Sequence, residues 1–246
     1  MRKKSFSIFH TFLLILALSL LFNTSCHRLP EFKADIQLDI SHKVDAQPLQ
    51  MDSIMYQNEA GNPYSVTRLE YYLSDFKFIR ADGSSEGIEL THYCNPRTPE
   101  SLHIDLTLSE GSYTALEFLL GIPADRNLSY TLPATSENIN MVWPENMGGG
   151  YHFMKLEGHF IDDHQKEKGF AMHLGTNQWL VHIHLDQNMD FEGAQNPLEL
   201  EMNINEWFRN PYTFDFNVQG NYTMGIDSLM GKLNANGGDV FTITNP

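Results

Sequence analysis

The feature that most constrains this chain is a two-residue alternation of apolar and polar side chains that recurs along its length. Ile36, Leu38 and Ile40 alternate with Gln37, Asp39 and Ser41; Leu198, Leu200, Met202 and Ile204 with Glu199, Glu201, Asn203 and Asn205; Tyr212, Phe214, Phe216 and Val218 with polar partners. Successive side chains of a strand point to opposite faces, so each segment reads as a strand with one face on a core and one in water. Denser apolar runs at Leu69–Ile79, Ser112–Leu120 and Tyr151–Leu156 read as more central strands. Asp82-Gly83, between Phe76–Arg80 and Ile88–Leu90, marks a hairpin; Glu110-Gly111, Gly121-Ile-Pro123 and Gly148-Gly149-Gly150 mark other reversals. One segment has clear helical spacing, Ile226, Leu229, Met230 and Leu233, with Asp227 or Ser228 as cap and Asn236-Gly237-Gly238 as stop. The expected fold is all-β: an antiparallel β-sandwich with one short C-terminal helix, in a single domain over residues 35–246.

The N-terminus follows another logic. Arg2, Lys3 and Lys4 precede an uncharged run from Thr11 to Phe22, and Asn23-Thr24-Ser25-Cys26 follows. A basic start, an apolar run too short to remain as a spanning helix, and small residues before a Cys make an export signal. It resembles a bacterial lipoprotein signal of residues 1–25, with Asn23 where that signal usually has Leu. The resemblance implies that Cys26 becomes the lipidated first residue of the mature chain, that residues 26–34 are its tether, and that the body is anchored in the bacterial cell envelope, at the outer membrane.

Charge narrows the partners. The chain has 31 Asp plus Glu against 16 Lys plus Arg, and loss of Arg2, Lys3 and Lys4 leaves 13 cationic residues and a balance of −18. No basic surface is available for nucleic-acid phosphates, and anionic headgroups would repel the body, so the lipid must hold it at the membrane. With Cys26 consumed, Cys94 has no partner for a disulfide and reads as a buried small hydrophobe.

No nucleophile elbow, phosphate-binding glycine loop or His-Glu-x-x-His motif is present, so the chain reads as a non-enzyme. Histidine is more informative. His42 continues the apolar face of Ile36, Leu38 and Ile40, where a polar ring needs a hydrogen bond or a metal. His173, in Phe170-Ala-Met-His-Leu-Gly175, closes a strand end. His182 and His184 project from one face of a strand, opposite Val181, Ile183 and Leu185, as a solvated pair or a second metal site. The methionines, among them Met51, Met55, Met141, Met154 and Met202, suit either core filling or monovalent copper.

Several blocks occur in a specific order: Ser41-His42 followed by Pro48-Leu49; Tyr64-Ser-Val-Thr-Arg-Leu-Glu-Tyr-Tyr-Leu-Ser-Asp75 leading to Ala81-Asp82-Gly83; Leu119-Leu-Gly-Ile122 with Asn127 downstream; Met141-Val-Trp143; Gly150-Tyr-His-Phe-Met-Lys-Leu-Glu-Gly158; and Phe170-Ala-Met-His-Leu-Gly175. In these the chain resembles the MbnP-like proteins, exported β-rich domains related to the copper-binding partner of the methanobactin system. The resemblance implies a copper-binding, non-catalytic β-sandwich with His42 and His173 as metal ligands. In some relatives a tryptophan is oxidised to kynurenine by a partner di-haem peroxidase, which makes Trp143 the candidate for modification and such a peroxidase, or an outer-membrane protein, a candidate partner. Here Ile40 lies two residues before His42, and Met141-Val-Trp143-Pro-Glu145 lacks the family's second Trp.

A different reading is a metal-free surface module that binds a protein or glycan through loop aromatics such as Trp179 and Trp207-Phe208, unless these close the ends of the core. A hydrolase built on paired carboxylates has no motif behind it. Asp52-Ser53-Ile54 and Asp227-Ser228-Leu229 resemble short O-glycosylation sites of exported bacterial proteins.

Overall fold

The computed structural model describes residues 32–244. The signal, the lipidation expected at Cys26 and most of the tether lie outside the described residues. The strands are Lys33–Val44 (β1), Gln47–Pro48 (β2), Tyr56–Gln57 (β3), Pro63–Tyr64 (β4), Arg68–Ile79 (β5), Ser85–Cys94 (β6), His103–Ser109 (β7), Gly111–Leu120 (β8), His152–Ile161 (β9), Glu167–Gly175 (β10), Val181–Phe191 (β11), Asn196–Asn203 (β12) and Phe241–Ile243 (β13). Two α-helices accompany them, Ser136–Asn140 (α1) and Asp227–Asn236 (α2). The first is an addition to the sequence expectation; it is capped by Thr135, whose hydroxyl accepts from the Asn138 N–H.

The strands form two sheets. One runs β13-β12-β1 and continues with β7 and β2 along the other side of β1; the second runs β11-β8-β5-β9-β4-β3, with β6 on β5 and β10 on β9. The all-β expectation holds, and the strands at Leu69–Ile79, Ser112–Leu120 and Tyr151–Leu156 are central as expected. The Asp82-Gly83 hairpin joins β5 to β6. At Glu110-Gly111 the chain instead changes sheet, from β7 to β8.

Two expectations need correction. The sandwich is not wholly antiparallel, because β1 and β12 pair in parallel, Leu38 opposite Leu198 and His42 opposite Met202. The intervening chain builds the whole of the larger sheet, so the long crossover that a parallel pair requires is present. The alternating segment Tyr212–Val218 is not a strand. Its backbone is bonded by side chains and a turn: Phe216 N–H donates to Asn62 Oδ1, Asn217 N–H to Asp215 Oδ1, and Val218 N–H to the Asp215 carbonyl. Phe214 and Phe216 are buried while Val218 is exposed, so the alternation reports burial without a ladder.

The two sheets share one apolar core, bridged by Phe118 and Tyr71 of the larger sheet against Phe241 of the smaller. A second aromatic group, Tyr64, Phe170, Phe208 and Phe216, closes one end, with Phe170 stacked on Phe216 at 4.7 Å. Trp207 and Phe208 are fully buried. They close the core and cannot serve as exposed partner contacts, and Trp179 is partly buried against Gly231. Cys94 is free and buried, as expected, and burial pushes its thiol pKa up.

Strand β9 approaches the β4 edge so closely that Gly158 has no room for a side chain: a methyl there would lie 1.8 Å from the Ser65 carbonyl oxygen. Gly158→Ala is expected to cost roughly 3 kcal/mol, since the obstacle is backbone and the Ser65 N–H is bonded to His159. Urea unfolding with an unchanged m-value checks this; a midpoint equal to wild type would show that the approach is not tight.

Candidate metal centre

The register places the candidate ligands. Tyr71, Met154 and Leu174 form one row across β5, β9 and β10, and Glu70, Lys155 and His173 form the adjacent row. Neighbouring rows face opposite sides of a sheet, so Tyr71 looks into the sandwich and His173 looks out. His42 belongs to the inner side: its Nε2 lies 2.8 Å from the Tyr71 hydroxyl, and its ring meets Tyr71 edge-on. The structure therefore does not bring His42 and His173 together. The larger sheet lies between them.

What joins His173 is His152. Strict alternation along β9 would send His152 inward with Met154, but the β9–β10 register slips between Leu174 and Gly175, so that Gly175 faces His152. Such a bulge re-aims the side chain. The His152 and His173 rings are 5.1 Å apart in an edge-to-face arrangement, and both residues are buried. Residues of the 122–151 segment pack on His152, and the Tyr222 ring flanks His173 at 6.4 Å. Trp143, entirely buried, packs 4.6 Å from His152, and the Met141 carbonyl accepts from both the N–H and the ring Nδ1 of His152.

These contacts set both tautomers. The His152 Nδ1 faces a carbonyl, which can only accept, so Nδ1 carries the proton and Nε2 the lone pair. His173 Nε2 lies 2.8 Å from Glu157 Oε1. With Nε2–H donating to that carboxylate, the lone pair falls on Nδ1, and His173 Nδ1 is buried without a hydrogen-bond partner. Burial first, and then the Lys155 ammonium, pushes the His152 pKa down to about 3, so this ring is neutral near pH 7. The His173 hydrogen bond and the Arg68 guanidinium hold the Glu157 carboxyl below its ordinary value, despite burial. Arg68 reaches Glu157 at 3.4 Å and Glu70 at 2.6 Å, and the Lys155 ammonium donates to the Asn140 carbonyl. On the backbone side, Thr223 Oγ1 accepts from the His173 N–H and donates to its carbonyl, which fixes the strand end.

The arrangement is two buried, adjacent imidazoles, His152 held neutral by its burial and His173 oriented by a carboxylate. Among the described residues no three His, Cys, Asp or Glu side chains are gathered as a metal-binding group. The donor set is thus a two-imidazole one, and the orphaned Nδ1 is the atom that a metal would satisfy. His182 and His184 lie exposed, as their alternation predicted. Both ring nitrogens of His184 are engaged, by Glu117 at 3.0 Å and Asp186 at 3.1 Å, and these carboxylates raise its pKa. Ser53 and Ser228 are exposed.

Comparison with known proteins agrees with this architecture. The MbnP family model matches residues 33–233. Among solved structures, MbnP from Methylosinus trichosporium is similar at 11% sequence identity and a TM-score of 0.56, over 86% of this chain and 98% of that one. At that identity the likeness is one of fold. No curated protein matches.

Proposed function

Because the chain belongs to the MbnP family, we propose that it binds a transition metal, copper in the first instance, for scavenging, storage or handover in the cell envelope, anchored through Cys26. The observation that carries this reading is the buried, unpartnered Nδ1 of His173. An orphaned acceptor in a dry site costs about 1–3 kcal/mol, and a cation with imidazole affinity removes that cost. His152 and His173 would hold the metal, and Glu157 would orient His173, in the carboxylate–histidine–metal relation seen in many sites. The bound metal would supply affinity and charge compensation in an acidic protein. The chain's own residues keep the His152 ring neutral, bury both rings and leave the His173 Nδ1 without a partner in the protein. His42, across the sheet, is assigned to the core.

Competition titration of the purified mature chain with monovalent copper, divalent copper and zinc tests this. One metal ion per chain is expected, and Glu157→Gln is expected to weaken binding by about 10–100-fold, the usual effect of removing a carboxylate behind a His ligand. Absence of uptake by the wild type would overturn the reading. The metal-free module is favoured by no contact aromatic in the Trp207-Phe208 pair.

A further inference from the structure

The Trp143 segment has a second face. One side of the indole packs against His152 and against Gly175, where an added methyl would fall 2.3 Å from the ring. Its Nε1 donates to the Met147 carbonyl at 3.0 Å, which ties Met147 to the same segment. Trp143 then also lines a surface cleft of about 560 Å³, together with Met147, Thr176, Gln178, Asp227 and Met230. The Met147 methyl lies over Gly225, where a Cβ would come within 2.6 Å of it. Thr176 has a left-handed backbone, φ 67°, and its buried hydroxyl has no partner. Asp227 is exposed and accepts from Gln178 at 3.3 Å. One indole thus separates two methionines and a carboxylate from the paired imidazoles.

Thioether sulfur is a soft, uncharged donor that prefers monovalent copper to zinc or divalent copper, and it needs no deprotonation to bind. Met230 is almost fully buried and Met147 half-buried against the core, and both border this cleft. We propose that this cleft is the port through which a soft monovalent cation reaches His152 and His173. The thioethers of Met147 and Met230 are its first ligands, and Asp227 draws the cation to the mouth. The proposal rests on the metal-binding reading and names the route and the ion class it favours.

The test uses the mature chain with Met147→Leu and Met230→Leu combined, an exchange that keeps volume. Monovalent copper supplied as a weak acetonitrile complex is expected to load about tenfold more slowly into this variant, with equilibrium affinity within about twofold of wild type. Asp227→Asn is expected to slow loading at low salt and lose the effect at high salt. Independently, the Met147 and Met230 methyl signals in methyl-labelled protein should shift first when silver(I) is added, and should still shift when His152 and His173 are both alanine. Unchanged loading by the double Leu variant, or methyl signals indifferent to silver(I), would overturn the port. If the wild type takes up no copper, the imidazole site falls, and the methyl signals still decide whether the cleft binds soft cations.

Discussion

Replacing His152 and His173 together by alanine should abolish stoichiometric uptake of monovalent copper, with affinity falling at least about 1,000-fold. The magnitude follows from the ligand count. Protein sites that hold zinc with four ligands supply about 10–16 kcal/mol in all, or about 3 kcal/mol per ligand, and each such loss is about a hundredfold. Among the described residues two imidazoles meet here with no third donor gathered beside them, so neither loss can be shared. Each single variant should lose about a hundredfold, and the rise in melting temperature on adding metal should vanish in the double variant. The controls are specific. His42→Ala should retain uptake, since its ring faces Tyr71 across the sheet, and so should the His182→Ala, His184→Ala pair, whose His184 is engaged by Glu117 and Asp186. Full binding by the His152, His173 double variant, or loss of binding in His42→Ala, would sink the assignment.

The two sheets were legible from the alternation itself, because a half-buried strand writes its geometry into every second residue. Ile36 to Ile40 and Leu198 to Met202 fall on strands that pair with one another, though no pattern within either segment says that they run parallel. The limits of the same rule explain what was misread. Alternation assumes an unbroken ladder. At Tyr212–Val218 the polar partners are turn-formers, and Asn62 and Asp215 satisfy the backbone in place of a neighbouring strand. In β9 the rule fails by one residue. Counting back from Glu157 and Lys155 puts His152 on the inner face, and the bulge opposite Gly175 returns it to the outer one. A signal for it existed in the run of glycines before Tyr151 and in Gly175, since irregular backbone needs such residues where it is crowded: Gly150 and Gly175 sit against Asn127 and Trp143. His173 stands out in the sequence, but the ring that lies beside it, His152, is on the strand it pairs with and not on β1. Family likeness and periodicity both singled out His42, and what neither shows is which side of a sheet two distant histidines occupy.

His42 has its own consequence, and it appears in acid. Burial pushes its pKa down from 6.5 to about 4. The groups facing it are Tyr71, bonded to its Nε2, and beyond that Cys94; burial raises the pKa of both, so neither offers a negative charge to an imidazolium. Above pH 6.5 the ring is neutral in the folded and the unfolded chain, and its contribution is complete. Between pH 6.5 and about 4 the unfolded chain binds a proton that the folded one refuses, so stability falls by about 1.4 kcal/mol per pH unit and by about 3 kcal/mol over the window. In metal-free protein His152, pushed down to about 3, adds a loss of the same sign, of the order of 5 kcal/mol when the window is traversed. Together these approach the whole stability of an ordinary domain, so the metal-free chain is expected to unfold cooperatively between pH 5 and 4. Exposed His103 and His184, whose pKa values are raised by neighbouring carboxylates, act in the opposite sense at the surface and are screened. Urea unfolding of wild type and His42→Gln at pH 7, 6, 5 and 4.5 isolates the buried ring. Gln can still bond the Tyr71 hydroxyl but takes up no proton, so its stability should fall less steeply by one proton's worth per pH unit, and the two proteins should converge or cross as the medium is acidified. Parallel pH profiles would show that His42 is not held neutral by the fold.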